Sequence, residues 1–438
     1  MATLLLLVFV ALSSLTGAKN PVVHPTTPSL GVSSRLQHSW AQYSPFFAPN
    51  PYTPPAKHCK ITQVNIIERH GARFPTASAG AQIEASLAKL QAVPKYTDPS
   101  LNFLKNFTYD LGHDDLVPFG AAQSFDAGQL VFVRYEKLVQ NALPFVRASS
   151  SQRVVDSANN WTAGVAFASN QKSQPFLSVI LNEALNDTLD DNMCPNAGSS
   201  TAQTNTWQVI YAAPAVARLN AAAPGANLTV TDITNLISLC PFETVAKEKP
   251  SAFCSLFTQE EFDGFEYFGD LGKYYGTGYG QELGPVQGVG YINELLARLT
   301  GRPVVDHTQT NSTLDADPST FPLNRTVYAD FSHDNQMIAI YAAMGLFQPS
   351  TPLDPAHPDS KRSWLASQLV PFSATMVTER LDCGGKGREF VRVLVDDALQ
   401  DLAFCGAGDD GMCSLDAFVQ SQGYARNDGN GDFERCFA

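Results

Sequence analysis

The chain has 438 residues, of which 44% are hydrophobic and 16% are charged, so it has enough apolar material for a large folded core. Its formal net charge of −13 at pH 7 argues against nucleic acids and anionic membrane surfaces as partners. The length is typical of two domains, or of one domain with large insertions.

The first segment of the chain is apolar. Residues 1–18 contain the run Leu4–Leu12 and end in small residues, which predicts a signal peptide and is too short to span a membrane. No later run of membrane-spanning length lacks charges. Residues 19–58 are rich in Pro, Ser and Thr and predict an extended arm on the surface. We therefore expect a secreted, extracellular, soluble protein.

The first predicted strand leads directly into a basic motif. The run Ile61–Ile67 alternates between apolar and polar residues and predicts a half-buried strand. Arg69, His70 and Arg73 follow at its carboxyl end, where ligands bind in open α/β sheets. Two guanidinium groups can hold phosphoryl oxygens, and their charge disfavours protonation of the histidine between them. The motif therefore predicts His70 as a nucleophile that attacks phosphate.

In the segment Leu143–Ser149 an apolar run ends on Arg147, which predicts a third strand end with a third guanidinium, followed by a helix near residues 152–168. On its own, Arg147 is interpreted as a surface residue at the start of that helix, paired with Asp156.

The intervening segments have a different composition. Residues 78–142 and 184–280 are rich in Ala, Leu and Asn, with helical runs such as residues 203–220. They predict insertions that form a smaller, mainly α domain beside the cleft. The remainder predicts an α/β catalytic domain, with a doubly wound sheet and helices on both faces. This domain comprises residues 59–77, 143–183 and 281–438.

A late strand ends in a second histidine motif. The segment Thr326–Ser332 predicts a strand, and His333 and Asp334 follow it. Residues 335–344 have helical composition and stop at Gly345, which suits the residue after a helix end. His333 and Asp334 should therefore lie at a strand-to-helix turn. Residues 389–397 predict a further strand and turn.

The cysteines and glycosylation motifs agree with secretion. An even number of cysteines in a secreted chain favours disulfides, although eight cysteines allow 105 pairings. The sequons suit a secreted glycoprotein. They lie at Asn106, Asn160, Asn186, Asn227, Asn311 and Asn324.

Rival chemistries lack their motifs. Cys383 is followed by Arg388 one residue too early for a thiolate phosphatase loop, and no nucleophile elbow or Walker loop is present. Residues 428–432 imitate the start of a calcium loop, but Phe433 replaces its required glycine. The other histidines show no ligand spacing. We expect no metal and no cofactor.

Taken together, Arg69–Pro75 and the His333-Asp334 pair resemble the signature of the histidine acid phosphatases, a branch of the histidine phosphatase superfamily. Further segments resemble the fungal phytases of this family, most closely the basidiomycete type. These segments are Leu116–Gly120, Phe265–Gly280 and Gly284–Leu299. The resemblance covers nearly all of the chain from about Gln37 onward and implies a fold like that of the phosphoglycerate mutases.

The resemblance implies a secreted acid phosphatase that hydrolyses myo-inositol hexakisphosphate (phytate) and acts as a 6-phytase. His70 would form a phosphohistidine, and Asp334, protonated at the working pH, would donate a proton to the leaving group. Phosphate would be bound by Arg69, Arg73, Arg147 and His333.

One departure leaves the substrate range open. Some fungal phytases carry two adjacent lysines where this chain has Gly272 and Lys273. Lys273 is thus a candidate for substrate specificity. The alternatives are a broad-specificity acid phosphatase, a phosphotransferase like phosphoglycerate mutase, and a non-catalytic secreted binding glycoprotein. We expect a monomer whose partner is the small phosphate ester.

The family pattern also implies a disulfide pairing. The implied pairs are Cys59 with Cys383, Cys194 with Cys436, Cys240 with Cys254, and Cys405 with Cys413.

Overall fold

The computed structural model describes residues 25–384, 388–408 and 410–438. The expected signal peptide, residues 1–18, lies outside the described residues. Within them the chain forms one sheet of eight strands. The strands are β1 Lys60–Arg69, β2 Phe145–Ser149, β3 Leu177–Leu181, β4 Val327–Ser332, β5 Thr375–Asp382, β6 Glu389–Val395, β7 Ala398–Leu399 and β8 Cys413–Ser414.

The sheet places the two histidine motifs side by side. Its strand order is β3-β2-β4-β1-β5-β6-β7, with β8 paired to β6. Strands β3, β2, β4 and β1 are parallel, whereas β5 is antiparallel to both β1 and β6. Arg69, the last residue of β1, is opposite Ser332, the last residue of β4. The residues that follow, His70 and His333, therefore leave the same edge of the sheet together.

Helices account for most of the remaining structure, and short 3₁₀ segments connect them. The α-helices are α1 Ser34–Gln37, α2 Ala77–Gln91, α3 Pro118–Asn141, α4 Gln152–Ala168, α5 Thr201–Tyr211, α6 Ala213–Ala222, α7 Val230–Lys247, α8 Gln259–Gly276, α9 Val289–Thr300, α10 Ser312–Asp315, α11 Asp334–Met344, α12 Ala366–Leu369, α13 Leu415–Ser421, α14 Gly423–Arg426 and α15 Asp432–Arg435. The 3₁₀ segments are Ala41–Tyr43, Pro99–Lys105, Ala252–Ser255, Pro285–Gly288, Ala403–Cys405 and Asp428–Gly431.

Helices cover both faces of the sheet, as predicted for this fold class. On one face, α3 and α4 pack against Val64, Ile66 and Phe331. On the other, side chains of α9 bind Asp330 of β4. The expectation of a half-buried β1 is wrong, since the strand is buried on both faces from Gln63 onward. Strands inside a parallel sheet that is covered on both sides are buried in this way.

The structure contains the predicted helices, with one difference. The predicted helix at residues 152–168 matches α4, and Gly345, with φ 94°, ends α11. The run at residues 203–220 is instead two helices, α5 and α6, which meet at Ala212. Pro214 lies in the first turn of α6, where proline starts a helix rather than continuing one. Residues 78–142 and 184–280 contribute no strand to the sheet in the described structure.

The amino-terminal arm differs from the extended surface segment that its composition predicts. Its described part forms α1 and the 3₁₀ turn Ala41–Tyr43, and Trp40 is fully buried. The backbone carbonyl of Gln42 accepts a hydrogen bond from Arg69. The arm is therefore part of the wall of the site.

The eight cysteines are joined in the four pairs that the family resemblance implies. Among the described helices, none combines the length and the apolarity needed to cross a bilayer.

Candidate active site

His70 lies directly after β1 and is 1% exposed. Its Nδ1 lies 2.8 Å from the carbonyl oxygen of Gly71. Since a carbonyl oxygen only accepts hydrogen bonds, Nδ1 carries the proton and Nε2 keeps its lone pair. Nε2 is therefore the nitrogen available for attack on phosphorus.

Gly71 is required by the close approach of two backbone segments. A Cβ at this position would lie 2.2 Å from the carbonyl oxygen of Gly120, which no side chain tolerates. The Gly71 amide instead donates to Ser157 Oγ at 3.0 Å. This packing fixes the turn that presents His70.

The surroundings of His70 keep its imidazole neutral. Burial lowers its pKa well below 6.5, and the charges of Arg69 and Arg73 lower it further. The ring thus remains an unprotonated nucleophile in mildly acidic solution.

Arg69 is a rigid, buried cation. Its guanidinium donates to the carbonyl of Val370 at 2.7 Å, and its Cζ lies 4.6 Å from the ring centroid of Phe372. Its Nη2 is 3.0 Å from Asp334 Oδ2. Arg73 is half-buried, and its Nε has no hydrogen-bond partner among the described residues.

The sequence reasoning missed Arg153. This residue lies in the first turn of α4, and its Nη2 is 3.5 Å from His333 Nδ1. Its Nε is buried and has no hydrogen-bond partner among the described residues. Burial and the charge of Arg73 lower its pKa, which shows that it shares the cationic pocket. The sequence feature that could have identified it is an arginine one helical turn after a predicted strand end, where a predicted helix begins.

Arg147, the predicted third phosphate ligand, does not reach this pocket. It lies inside β2, which continues for two residues beyond it, and it is opposite Asp330 of β4. Its Nε donates to Asp330 at 2.8 Å, and its terminal nitrogens donate to both oxygens of Glu294 in α9. The side chain is 2% exposed. The assignment of Arg147 to the phosphate pocket is therefore corrected, and its alternative interpretation as a surface residue is also wrong.

His333 and Asp334 lie at the turn between β4 and α11, as predicted. The rings of His333 and His70 are 5.6 Å apart between centroids. Asp334 Oδ2 lies 3.0 Å from Arg69 and 2.9 Å from Lys273. Burial acts to raise the pKa of Asp334, but these two cations outweigh it and hold the pKa well below 3.8. Asp334 is thus held in its ionised form, unlike the protonated acid that was expected.

Lys273 is brought into the same cleft by α8. Its Nζ donates to Asn335 Oδ1 at 2.7 Å, and burial lowers its pKa. The adjoining cavity has a volume of about 370 Å³. Its lining includes Gln42, Asp191, Gly272, Thr277 and Asn335.

The only described group with a metal-binding arrangement of nitrogen, sulfur or carboxylate atoms is His58 with Cys59 and Cys383. These two cysteines form a disulfide and offer no thiolate. The pocket around His70 instead combines a neutral nucleophile with three arginines, which suits phosphoryl transfer.

Comparison with known proteins agrees with this geometry. Residues 60–396 match the model of the histidine phosphatase superfamily, branch 2. The chain is 37% identical to Phytase A of Aspergillus oryzae over 98% of this chain and 97% of that protein. It is 40% identical to Phytase A of Arthroderma benhamiae over 93% and 94% of the two chains.

The fold is also similar to the crystal structure of the phytase from D. castellii. That structure has a TM-score of 0.75 and 23% identity, and the match covers 92% of this chain and 87% of the other. At this identity the likeness concerns the fold. Sequence and structure agree, and the chain belongs to branch 2 of the histidine phosphatase superfamily.

Proposed function

We propose that the protein is a secreted phytase, a phosphoric monoester hydrolase that works in acidic solution through a phosphohistidine. The observation that carries this proposal is the buried, neutral Nε2 of His70 beside the guanidinium groups of Arg69, Arg73 and Arg153.

In the first step, His70 Nε2 attacks the phosphorus atom in line with the ester oxygen. The three arginines and His333 stabilise the equatorial oxygens as charge builds up on them. The bond between phosphorus and the ester oxygen breaks, and the phosphoryl group stays on Nε2. In the second step water attacks this phosphohistidine and releases inorganic phosphate.

Asp334 is proposed as the proton donor to the leaving alcohol. Arg69 and Lys273 hold it in its ionised form. A bound phosphate brings negative charge beside the carboxylate and competes for the same cations, and both effects favour its protonated form. Substrate binding would therefore favour protonation of Asp334, which the reaction needs as its acid. The same carboxylate then activates water for the second step.

Phytate is the substrate favoured by the cleft. Lys273 lies outside the group that surrounds His70, in a cavity of about 370 Å³ where further phosphates of a polyanion would meet a cation. The relatives that carry the name Phytase A support this choice. Attack on the 6-phosphate first is proposed from the basidiomycete resemblance and is tested by analysing the pentakisphosphate product.

A broad-specificity acid phosphatase is the second candidate, because Gly272 faces open space. A Cβ there would meet no atom within 4 Å, so the cleft has room where another phytase carries a second lysine. A phosphotransferase like phosphoglycerate mutase fits less well with four disulfides.

Secretion is supported by the apolar residues 1–18, the four disulfides and the sequons. Asn106, Asn186, Asn227 and Asn324 are exposed, whereas Asn160 and Asn311 are half-buried. We also propose a monomer in which the segments 78–142 and 184–280 form a smaller helical domain beside the α/β domain.

The deciding experiment compares phytate with nitrophenyl phosphate as substrates of the purified enzyme. We expect a higher kcat/KM on phytate, and radioactive phosphate on His70 after acid quenching. Equal efficiency on both esters would favour the broad phosphatase. Failure to release phosphate from either ester would favour a binding protein.

A further inference from the structure

Glu183 contacts the ring of His333. It follows β3, and its Oε1 is 3.1 Å from His333 Nε2. An ionised carboxylate accepts hydrogen bonds and donates none, so His333 Nε2 must carry a proton. The other ring nitrogen, Nδ1, then faces Arg153 at 3.5 Å.

Three hydrogen bonds hold the carboxylate of Glu183 beside the one to His333, and they come from the last residue of β2 and from the turn that follows it. Its Oε1 accepts from Ser149 Oγ at 2.9 Å and from the Ser151 amide at 2.8 Å, and its Oε2 accepts from Ser151 Oγ at 2.8 Å. Its amide donates to Ser150 Oγ at 3.2 Å. This turn also leads into the helix that carries Arg153.

Glu183 stays ionised in acidic solution. Burial acts to raise its pKa, but the hydrogen bonds from His333 and Ser151 outweigh it and lower the pKa to about 2. Asp190 Oδ1 is 3.9 Å from His333 Nε2, which is too distant for a hydrogen bond.

We propose that Glu183 is a positioning residue of the reaction, which fixes the ring of His333 with Nε2–H turned away and Nδ1 presented to the phosphate. The inference rests on the proposed function and adds a residue to it. Through the same turn, Glu183 couples the placement of His333 to that of Arg153. When the ring is doubly protonated, Nδ1–H donates to a phosphoryl oxygen. When it is neutral, Nδ1 accepts from Arg153.

Asp187 provides a matched control. Its Oδ2 lies 2.6 Å from Ser149 Oγ, whose single hydroxyl proton it shares with Glu183, and its Oδ1 accepts from the Leu189 amide at 2.8 Å. It makes no hydrogen bond to His333 in the described structure. A change at Asp187 therefore tests the surrounding turn, while a change at Glu183 tests the support of the ring.

The test has two readouts. The first is the ¹⁵N spectrum of the histidine rings in the free enzyme, in which His333 is assigned by its loss in His333→Gln. We expect protonated Nε2 in wild type and in Glu183→Gln, whose amide oxygen still accepts, and loss of this preference in Glu183→Ala. The second is kcat and KM for nitrophenyl phosphate.

For Glu183→Ala we expect a loss in kcat of about a hundredfold, the scale of one misplaced transition-state contact. Glu183→Gln should recover most of it, and Asp187→Asn should keep a kcat close to that of wild type, because Asp187 makes no hydrogen bond to His333 in the described structure. A merely structural role would lower Tm in all three variants without moving the His333 tautomer.

The proposal is overturned if wild-type His333 carries its neutral proton on Nδ1, a result that needs no variant to fold. It is also overturned if folded Glu183→Ala keeps both the tautomer and kcat. Because the spectrum is recorded without substrate, it stays informative even if the enzyme proves not to be a phytase.

Discussion

The molecule contains two arginine clusters that look alike in the sequence and differ in charge balance. In the buried cluster, Arg147 and Arg298 face Glu294 and Asp330. Asp330 binds both arginines, and their charges lower its pKa to about 2 although burial acts to raise it. Each cation has its anion, and this cluster holds α9 to the sheet.

The cluster at the strand ends is not balanced within the protein. Arg69, Arg73, Arg153 and Lys273 share it, and only Asp334 among the neighbouring carboxylates bridges two of them. The Nε atoms of Arg69, Arg73 and Arg153 have no partner among the described residues. Arg298 Nε of the buried cluster also lacks a partner, so an unpartnered donor does not by itself separate the two clusters. Arg73 and Arg153 differ in that neither forms an ion pair with a described carboxylate, which suits an incoming anion. The two clusters are not distinguished by residue type. They differ in whether each cation forms an ion pair with a carboxylate.

The largest expected effect comes from substituting His70, the proposed nucleophile beside the second arginine cluster. His70→Ala should lower turnover by at least about ten-thousandfold, since the covalent step is lost. The fold should remain, as judged by Tm and circular dichroism. Phosphate trapped on another residue, or substantial turnover by the variant, would contradict the role of His70.

Asp334→Asn should separate substrates by their leaving group. Phytate releases a poor leaving group, so its phosphorylation step should slow by about a hundred- to ten-thousandfold without general acid assistance. Nitrophenol leaves readily, and its pre-steady-state burst should be much less affected. Single-turnover measurements on both esters check this, and equal slowing would assign Asp334 to positioning alone.

Arg147 was predicted to lie in the phosphate pocket, and the structure has Arg153 there instead. Substituting each of them tests the comparison directly. Arg153→Ala should lower kcat by about a hundred- to a thousandfold with little change in Tm, because it removes one charge from the transition state. Arg147→Ala should instead lower the free energy of unfolding by about 3–5 kcal/mol, because it leaves Glu294 buried without its ion-pair partner and removes one of the two arginines that bind Asp330. The opposite pattern would restore Arg147 to the pocket.

Lys273→Ala tests how far the anion site extends beyond the group at His70. We expect kcat/KM on phytate to fall by about tenfold, the scale of one partly screened charge contact, and to fall less on nitrophenyl phosphate. Only the larger substrate carries phosphates that reach beyond the group at His70. A loss of the same size on both substrates would indicate that Lys273 acts through Asp334.

The smallest expected effect is on the pH dependence of stability. The pKa of His70 is lowered in the folded state, so below pH 6.5 the unfolded chain binds a proton that the folded chain does not. Stability contributed by neutral His70 is present above pH 6.5 and is lost as the pH falls. Relative to His70→Asn, wild type should lose up to about 1.4 kcal/mol per pH unit below 6.5. Urea unfolding at several pH values measures this, and parallel curves would contradict the low pKa.

The sequence was sufficient to locate the two reactive strand ends. Hydrophobic alternation and the motifs beside it predicted that His70 follows one strand and that His333 and Asp334 lie at the turn after another. The register of the parallel strands β1 and β4 then brings these two strand ends to one edge of the sheet.

Other properties depend on tertiary contacts that a linear pattern does not contain. Whether β2 stops at Arg147 or continues to Ser149 decides which arginine enters the pocket, and strand ends are poorly marked by local composition. The ionised state of Asp334 depends on Lys273, which comes from a helix about sixty residues earlier in the chain. The irregular amino-terminal arm likewise gave no sign that Gln42 would support Arg69.

The disulfide between Cys59 and Cys383 joins positions 324 residues apart, at the far end of the strand that carries His70. Lys60 pairs with Asp382 beside it, so the bond links the beginning of β1 to the end of β5. Nearly the whole catalytic apparatus lies inside one covalent ring. An extracellular protease that cuts an exposed loop within this ring leaves a nicked but unbroken molecule, whose two fragments remain side by side in the sheet. That topology makes a single cleavage within the ring tolerable.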